Sequence, residues 1–276
     1  MKKFMTVALG IVCSVSLLAG CGGTASSGTT AAAGAAAGTT AAAGASSAAS
    51  TGSGKKYVIA TDTQFPPFEF TNSDQKFVGI DVDILDAIAK DQGFEYQLNS
   101  LGFDAALIAV QSGQADGVIA GMSITDERKN KFDFSDPYYT AEVTMATAKN
   151  SDIKSFDDLK GKKVAIKTGT NGGDFAKSIM KDKGFEVVEF KDSPTMYQDV
   201  ITGNTQACFE DYPVMAYNIK NGAQMVIPDG CTAAGSDYGF GVKKGSNAEL
   251  LAMFNKGLAD IKKNGTFQKI VDSYTK

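Results

Sequence analysis

The chain has 276 residues, with 27 basic and 31 acidic side chains, a formal charge of −4, and no histidine or tryptophan. Without histidine there can be no Ser-His-Asp triad, histidine general base or histidine metal ligand. Its lysines are interspersed with acids, so no basic stripe points to nucleic acid, and no metal or cofactor motif is expected.

Lys2 and Lys3 precede an apolar run, VALGIVCSVSLLAG (7–20), too short for a comfortable membrane span, and residues 1–20 read as a secretory signal. Leu17-Leu18-Ala19-Gly20-Cys21 resembles a bacterial lipobox, which makes Cys21 the expected lipidated first residue of the mature chain. Residues 22–54 contain only Gly, Ala, Ser and Thr. They have almost no apolar surface to offset the entropy of ordering them, and a flexible tether of about 30 Å root-mean-square length is expected. Without Lys2 and Lys3, 25 basic residues face 31 acidic ones, a formal charge of −6. Cys13 leaves with the signal and Cys21 carries the lipid, so Cys208 and Cys231 remain in the folded part. An exported compartment permits a disulfide between them without requiring one.

The folded part, 55–276, alternates strand and helix patterns. KYVIAT (56–61) is a β-branched strand run. Asp81–Gln92 has helical apolar spacing at Val82, Leu85, Ile88 and Ala89, with Gly93 as its stop. Phe94–Leu98 alternates as a strand, Asp104–Gln111 is helical, and GVIAG (117–121) is a strand. The pattern then repeats: strand Lys163–Lys167, helix Gly173–Lys183, strand Glu186–Phe190, helix Thr195–Thr202, strand Gln206–Glu210. SDYGFGVKK (236–244) reads as one strand. A capping box, Ser246 to Glu249, opens a helix to about Lys263, and a last helix covers Thr266–Tyr274. This alternation predicts an α/β fold with parallel sheets covered by helices.

A weak internal repeat suggests two lobes. QSGQADGVIAG (111–121) and ITGNTQACFED (201–211) share a layout, as do YVIATDTQ (57–64) and KVAIKTGT (163–170). In parallel α/β sheets ligands gather beyond the carboxyl ends of the strands. Those ends carry Asp62, Gly121 with Ser123, Lys167 with Thr170, and Glu210 with Asp211.

Arg128, in SITDERKNKFDF (123–134), is the only arginine among 26 lysines. It is either a surface residue of a lysine-rich chain or a planar donor fork chosen to grip a carboxylate, which lysine cannot do with two parallel bonds. Thr125 can cap the short turn TDERKN and fix the arginine's stem. KTGTNGGDFAK (167–177) is a glycine-containing loop entering a helix, where backbone N–H groups could hold an anion. It lacks both a P-loop and GxGxxG, and a carboxylate suits it as well as a phosphate. In TQFPPFEF (63–70), Phe68 and Phe70 are expected in the core and Phe65 to project from the loop. Phe103 sits in a second loop, and each of these two rings is either core or one face of a sandwich around a ligand. Of Glu210 and Asp211, neighbours on a strand, one member can face a cleft as counter-charge for an ammonium. An arginine and an acid from opposite lobes would read a zwitterion.

ATDTQFPPFEF, VGIDVDILDAIAK, GMSITDERKNKFDFSDPYY, LKGKKVAIKTGT and IKKNGTFQKIVDSY occur in order from about 57 to 274. Together they resemble the bacterial type 3 extracellular solute-binding proteins, the amino-acid receptors of ABC importers, and most closely the glutamine-binding branch. The resemblance implies a periplasmic-binding-protein type II fold, with two Rossmann-like lobes joined by a two-segment hinge. Lobe 1 is expected at 55–140 with 236–276, lobe 2 at 141–235, and the hinges near 138–142 and 234–238. It also implies that Arg128 binds an α-carboxylate, helped by N–H groups at Ser123 and Asn171 beside Thr170. The α-ammonium would meet Asp211, the Gly121 carbonyl and the Ser123 hydroxyl. Phe65 and Phe103 would flank the side chain, with Asp62 and Lys167 near its polar end.

This sequence departs from the family pattern at Asn171, where a small residue is common, and at Glu210, where the glutamine branch has a neutral or weakly basic residue. An extra acid favours a cationic ligand side chain. Lys167 opposes one, and its pairing with Asp62 suits a carboxamide. The expectation is a non-enzymatic, monomeric receptor outside the cytoplasm, held to the membrane only by its lipid. It would deliver a free amino acid, glutamine favoured, to an ABC permease. Two alternatives are a carboxylate-dependent dehydratase-like enzyme on the same fold and a ligand-sensor module.

Overall fold

The computed structural model describes residues 55–276, so the expectations for the signal, Cys21 and the 22–54 segment lie outside the described residues. Strand β1 (Lys56–Thr61) leads into a loop closed by the ribbon β2 (Phe70–Thr71) and β3 (Phe77–Val78). Helix α1 (Ile80–Gln92) buries Ile80, Ile84, Leu85, Ile88 and Ala89 on one face and ends at Gly93, φ +69°. Next come β4 (Glu95–Ser100), α2 (Phe103–Ser112) and β5 (Gly117–Val118), with β1 parallel to both strands. The short helix α3 (Asp126–Lys129) and β6 (Phe132–Phe134) precede the long strand β7 (Tyr139–Ala148).

A second run follows a 3-10 turn at Phe156–Leu159: β8 (Lys163–Lys167), α4 (Asn171–Lys183), β9 (Glu186–Phe190), α5 (Ser193–Ile201), β10 (Ala207–Asp211), α6 (Tyr212–Lys220) and β11 (Met225–Val226). The chain returns through β12 (Thr232–Tyr238) to β13 (Gly241–Lys243), α7 (Ala248–Lys263) and α8 (Thr266–Thr275). One sheet has the order β4-β1-β5-β13-β6 and the other β11-β7-β10-β8-β9, with β12 beside β7. Beside the first sheet, Tyr57, Ile59, Ile119 and Phe240 pack in one cluster with Ile84 and Ile88 of α1 and Phe254 of α7. Each fully buried Ile, Leu or Phe in such a core contributes about 1.5–3 kcal/mol.

The two passages between the sheets run side by side. β7 and β12 are antiparallel, with Tyr139 opposite Tyr238, Thr140 opposite Asp237 and Ala141 opposite Ser236. The Thr140 hydroxyl donates to Asp237 Oδ1 at 2.6 Å.

Several sequence expectations change. The sheets are mixed rather than parallel: β13 runs antiparallel to β5 and β6, and β7 antiparallel to β10. The 236–244 run is two strands, because its halves serve different sheets, Tyr238 pairing with Tyr139 and Gly241 with Val118 and Phe134. The box at Ser246 does not form. Asn247 caps α7 in left-handed geometry, φ +51°, and its side-chain amide donates to the Asp116 carbonyl at 2.9 Å. Helix α6 is an element that the sequence pattern did not announce; Pro213 occupies its first turn, where a missing N–H has no helical partner to lose. Cys208 and Cys231 are separate buried thiols. Cys208 packs with Met196 and Met215, whereas Cys231 packs with Leu159 and Phe209, in separate apolar clusters.

Candidate functional site

Strand ends and helix starts from both sheets converge on a small, largely enclosed cavity. The first sheet supplies Asp62 after β1, Phe65 from the next loop, Phe103 at the start of α2, Gly121 and Ser123 after β5, and Arg128 on α3. The second supplies Lys167 at the end of β8, Thr170 and Asn171 at the start of α4, and Asp211 at the end of β10. Of the residues expected at the site only Glu210 is absent from the lining. Its carboxylate turns to the opposite side of β10, accepting from the Ser193 and Tyr197 hydroxyls at 2.8 Å each and from the Asp211 N–H at 3.1 Å. Strand alternation sends neighbours to opposite faces, and Asp211 is the member facing the cavity.

Arg128 is buried, at 8% exposure. Thr125 caps α3, its side chain accepting from the Arg128 N–H at 3.2 Å, which fixes the stem. The guanidinium donates to the Ser123 carbonyl at 2.7 Å and, across the cleft, to the Gly169 carbonyl at 2.8 Å. It lies 5.3 Å from the Phe103 ring. Burial lowers its pKa, and the charges of Asp174 and Asp211 oppose that shift. Two of five guanidinium donors are thus engaged, which leaves three for an anion.

Asp211 accepts from the Tyr238 hydroxyl. Burial and then the charge of Glu210 raise its pKa to about 7, against the lowering effect of Tyr238, Arg128 and Lys167. Nearby, Asp62 and Lys167 form an ion pair between the two sheets, each side chain 1% exposed. Lys167 lies 4.7 Å from the Phe65 ring and 5.8 Å from that of Phe103. Burial alone would lower the lysine's pKa, but Asp62 and Glu210 raise it overall, so it keeps its charge. At the start of α4 the Thr170 side chain accepts from the Gly173 N–H at 3.1 Å, while the first-turn N–H groups of Asn171 and Gly172 have no partner within the helix.

The Gly121 turn depends on its residue type. Its φ is +53°, and a Cβ would lie 2.6 Å from the Phe65 ring. Behind it, Asp81 accepts from the Gly121 N–H at 2.7 Å and from the Tyr138 hydroxyl at 2.8 Å. Sequence reasoning missed Asp81 and Tyr238 as supports, and Ala120 as lining. The available signal for Asp81 was a charged residue within the apolar spacing that opens α1.

Residues 57–276 match the family described as bacterial extracellular solute-binding proteins, family 3. A probable histidine-binding protein of Neisseria gonorrhoeae is 31% identical over 280 residues, covering 99% of this chain and 96% of the relative. Among solved structures, substrate-binding domain 2 of GlnP from Lactococcus lactis, in an open conformation, is 47% identical with a TM-score of 0.56, over 82% of this chain and 97% of that one. An ancestral arginine-binding protein bound to glutamine is 38% identical with a TM-score of 0.73, over 79% of this chain and 97% of that one. On the extent of the match and on the two-sheet architecture around one cavity, this chain belongs to the bacterial extracellular solute-binding proteins, family 3.

Proposed function

We propose that this chain is an amino-acid-binding component of an ABC transporter, and that its preferred ligand is glutamine. The observation that carries the reading is the pairing of a cationic and an anionic group, Arg128 and Asp211, in one buried cavity. A free amino acid offers the matching carboxylate and ammonium. Its carboxylate meets the three spare donors of Arg128 and the N–H groups at the start of α4. Its ammonium meets Asp211, the Gly121 carbonyl and the Ser123 hydroxyl. Its side chain lies between Phe65 and Phe103 toward Asp62 and Lys167. A carboxamide presents an acceptor to the lysine and a donor to the aspartate, whereas a cationic side chain would approach the lysine charge. A relative named for histidine binding and an ancestral arginine binder solved with glutamine fit an amino-acid site of this type.

The lobes are assigned as 55–140 with 236–276 and as 141–235, with hinges near 138–142 and 234–238 where β7 and β12 pair. Contacts across the cleft, Arg128 to Gly169 and Asp62 to Lys167, support a closed form. So does the lower TM-score to the more similar domain solved open. Closure removes the ion pairs from water, which strengthens them. Lipidation at Cys21 would keep the receptor on the membrane beside its permease. Catalysis on the same scaffold would have to use carboxylates and Lys167, and here Lys167 is committed to an ion pair with Asp62.

The test is a thermal-shift screen over the standard amino acids, followed by calorimetry, since a ligand of the native state raises the melting temperature. A stoichiometric response to glutamine above arginine and histidine supports the assignment. Turnover of a ligand, or a preference for arginine, replaces it.

A further inference from the structure

Directly behind the cavity wall lies a pair of carboxyls with no direct part in holding a ligand. Glu69 and Asp81 are both 0% exposed and within hydrogen-bonding reach of one another. Counted as carboxylates, both Glu69 oxygens and Asp81 Oδ1 lack a partner among the described residues. Two buried anions side by side with three unmet oxygens would be heavily destabilising. One proton removes one of the two charges and gives two of the three oxygens a partner. If Glu69 is the acid, its O–H donates to Asp81 Oδ1, and the remaining charge sits on Asp81, which already accepts from the Gly121 N–H and the Tyr138 hydroxyl.

The surroundings assign the proton to Glu69. Asp81 stands in the first turn of α1 and holds two donors, which favour its charged form. Glu69 holds none. The groups facing the pair from other elements are Asp62 after β1, Lys167 on β8 and Tyr138 before β7. Burial pushes the Glu69 carboxyl well above the usual range, with the charges of Asp81 and Asp62 adding to this and that of Lys167 opposing. Burial raises Asp81 only to about 6, the two donors holding it down. The Glu69 backbone is also fixed, since its carbonyl accepts from the Phe65 N–H at 2.7 Å and so closes the loop that presents the Phe65 ring. Gly79 lets the start of α1 approach this loop: its φ is +143°, and a Cβ there would lie 2.0 Å from the Phe68 carbonyl oxygen, which accepts from the Asp81 N–H at 2.9 Å.

We propose that Glu69 is a positioning residue of the binding site: its carboxyl carries the single proton it shares with Asp81 and, through Asp81, fixes the Gly121 turn and ties it to Tyr138 beside the crossing strands. The proposal rests on the cavity being an amino-acid site, where the Gly121 carbonyl receives the ammonium.

Three measurements test it. Carbon-13 NMR of chain labelled at glutamate carboxyls, at about pH 7.5, is expected to show one protonated signal that is missing from Glu69→Gln; its absence from the native spectrum overturns the proton assignment. In calorimetry with L-glutamine, Glu69→Leu strands Asp81 Oδ1 and is expected to weaken binding about tenfold. Glu69→Gln, whose amide N–H replaces the acid proton, is expected to recover most of that loss. Native affinity in Glu69→Leu, or no recovery in Glu69→Gln, overturns the positioning role. The third measurement needs neither ligand nor the leucine variant. A raised folded-state pKa makes stability fall as pH climbs from the ordinary carboxylate range, so between about pH 5 and 8 the native melting temperature should decline more steeply than that of Glu69→Gln. Equal slopes overturn the shared proton. If the native chain ignores glutamine, the ligand assignment fails while the spectrum and the melting slopes still decide the proton.

Discussion

The two charged pairs of the cleft are built in opposite ways. Asp62 and Lys167 bond directly to one another. Arg128 and Asp211 instead bond to neutral groups, the arginine to two carbonyls and the aspartate to a tyrosine hydroxyl. The first pair is nearly self-sufficient and suits a neutral polar side chain. The second holds two charges in place without cancelling them, the arrangement that a zwitterion completes.

The comparison breaks most sharply at Arg128. Arg128→Ala should weaken glutamine binding by about 2–5 kcal/mol, because the ligand carboxylate loses its buried partner, and calorimetry reads this directly. Arg128→Lys should recover only part of it, since an ammonium cannot reproduce the fork.

Asp211 tests the anionic member through pH. Its pKa near 7 means that the unliganded carboxyl takes up a proton below that pH, whereas the ammonium needs it ionised. Native affinity should therefore fall as pH drops below about 7, by up to tenfold per unit, with proton release detectable by calorimetry in buffers of different ionisation enthalpy. Asp211→Asn should bind more weakly and lose this slope. For the unliganded fold the sign is reversed: a raised folded pKa gives stability that is present at low pH and is lost as pH rises toward 7.

The self-sufficient pair should matter less to affinity and more to selectivity. Asp62→Asn with Lys167→Met removes both charges together, which avoids stranding one of them, and should cost about tenfold for glutamine while narrowing its margin over arginine. Competition titrations check this. The smallest effect is expected from Glu210→Gln, whose amide oxygen still accepts from Ser193 and Tyr197 while its amide nitrogen gives up only the bond from the Asp211 N–H. Affinity at about pH 8 should change less than threefold, but removing this charge should lower the Asp211 pKa and shift the pH profile toward acid.

Much of this arrangement is legible in the sequence. Lys56–Thr61, Lys163–Lys167 and Glu186–Phe190 appear as strands with the predicted bounds, because each is a short β-branched run with clear polar ends. The cavity lining was legible because strand termini and a solitary arginine mark it. Strand direction was not. Nothing local in Tyr139–Ala148 announces that the chain is leaving one sheet, or that 236–244 divides between two. The supports behind the wall were equally hidden, because Asp81 and Glu69 meet only through tertiary packing between a loop and a helix start.

The paired crossings β7 and β12 have a mechanical consequence. One covalent connector would let the halves swivel freely, so each capture would begin with a search over orientations. Two neighbouring ribbons, cross-linked by their own amide ladder and by Thr140 to Asp237, resist torsion about their length while still allowing flexure across it. In the two-lobe reading proposed above, opening and shutting would then retrace a single arc, and the lobes would return to the same alignment after each release.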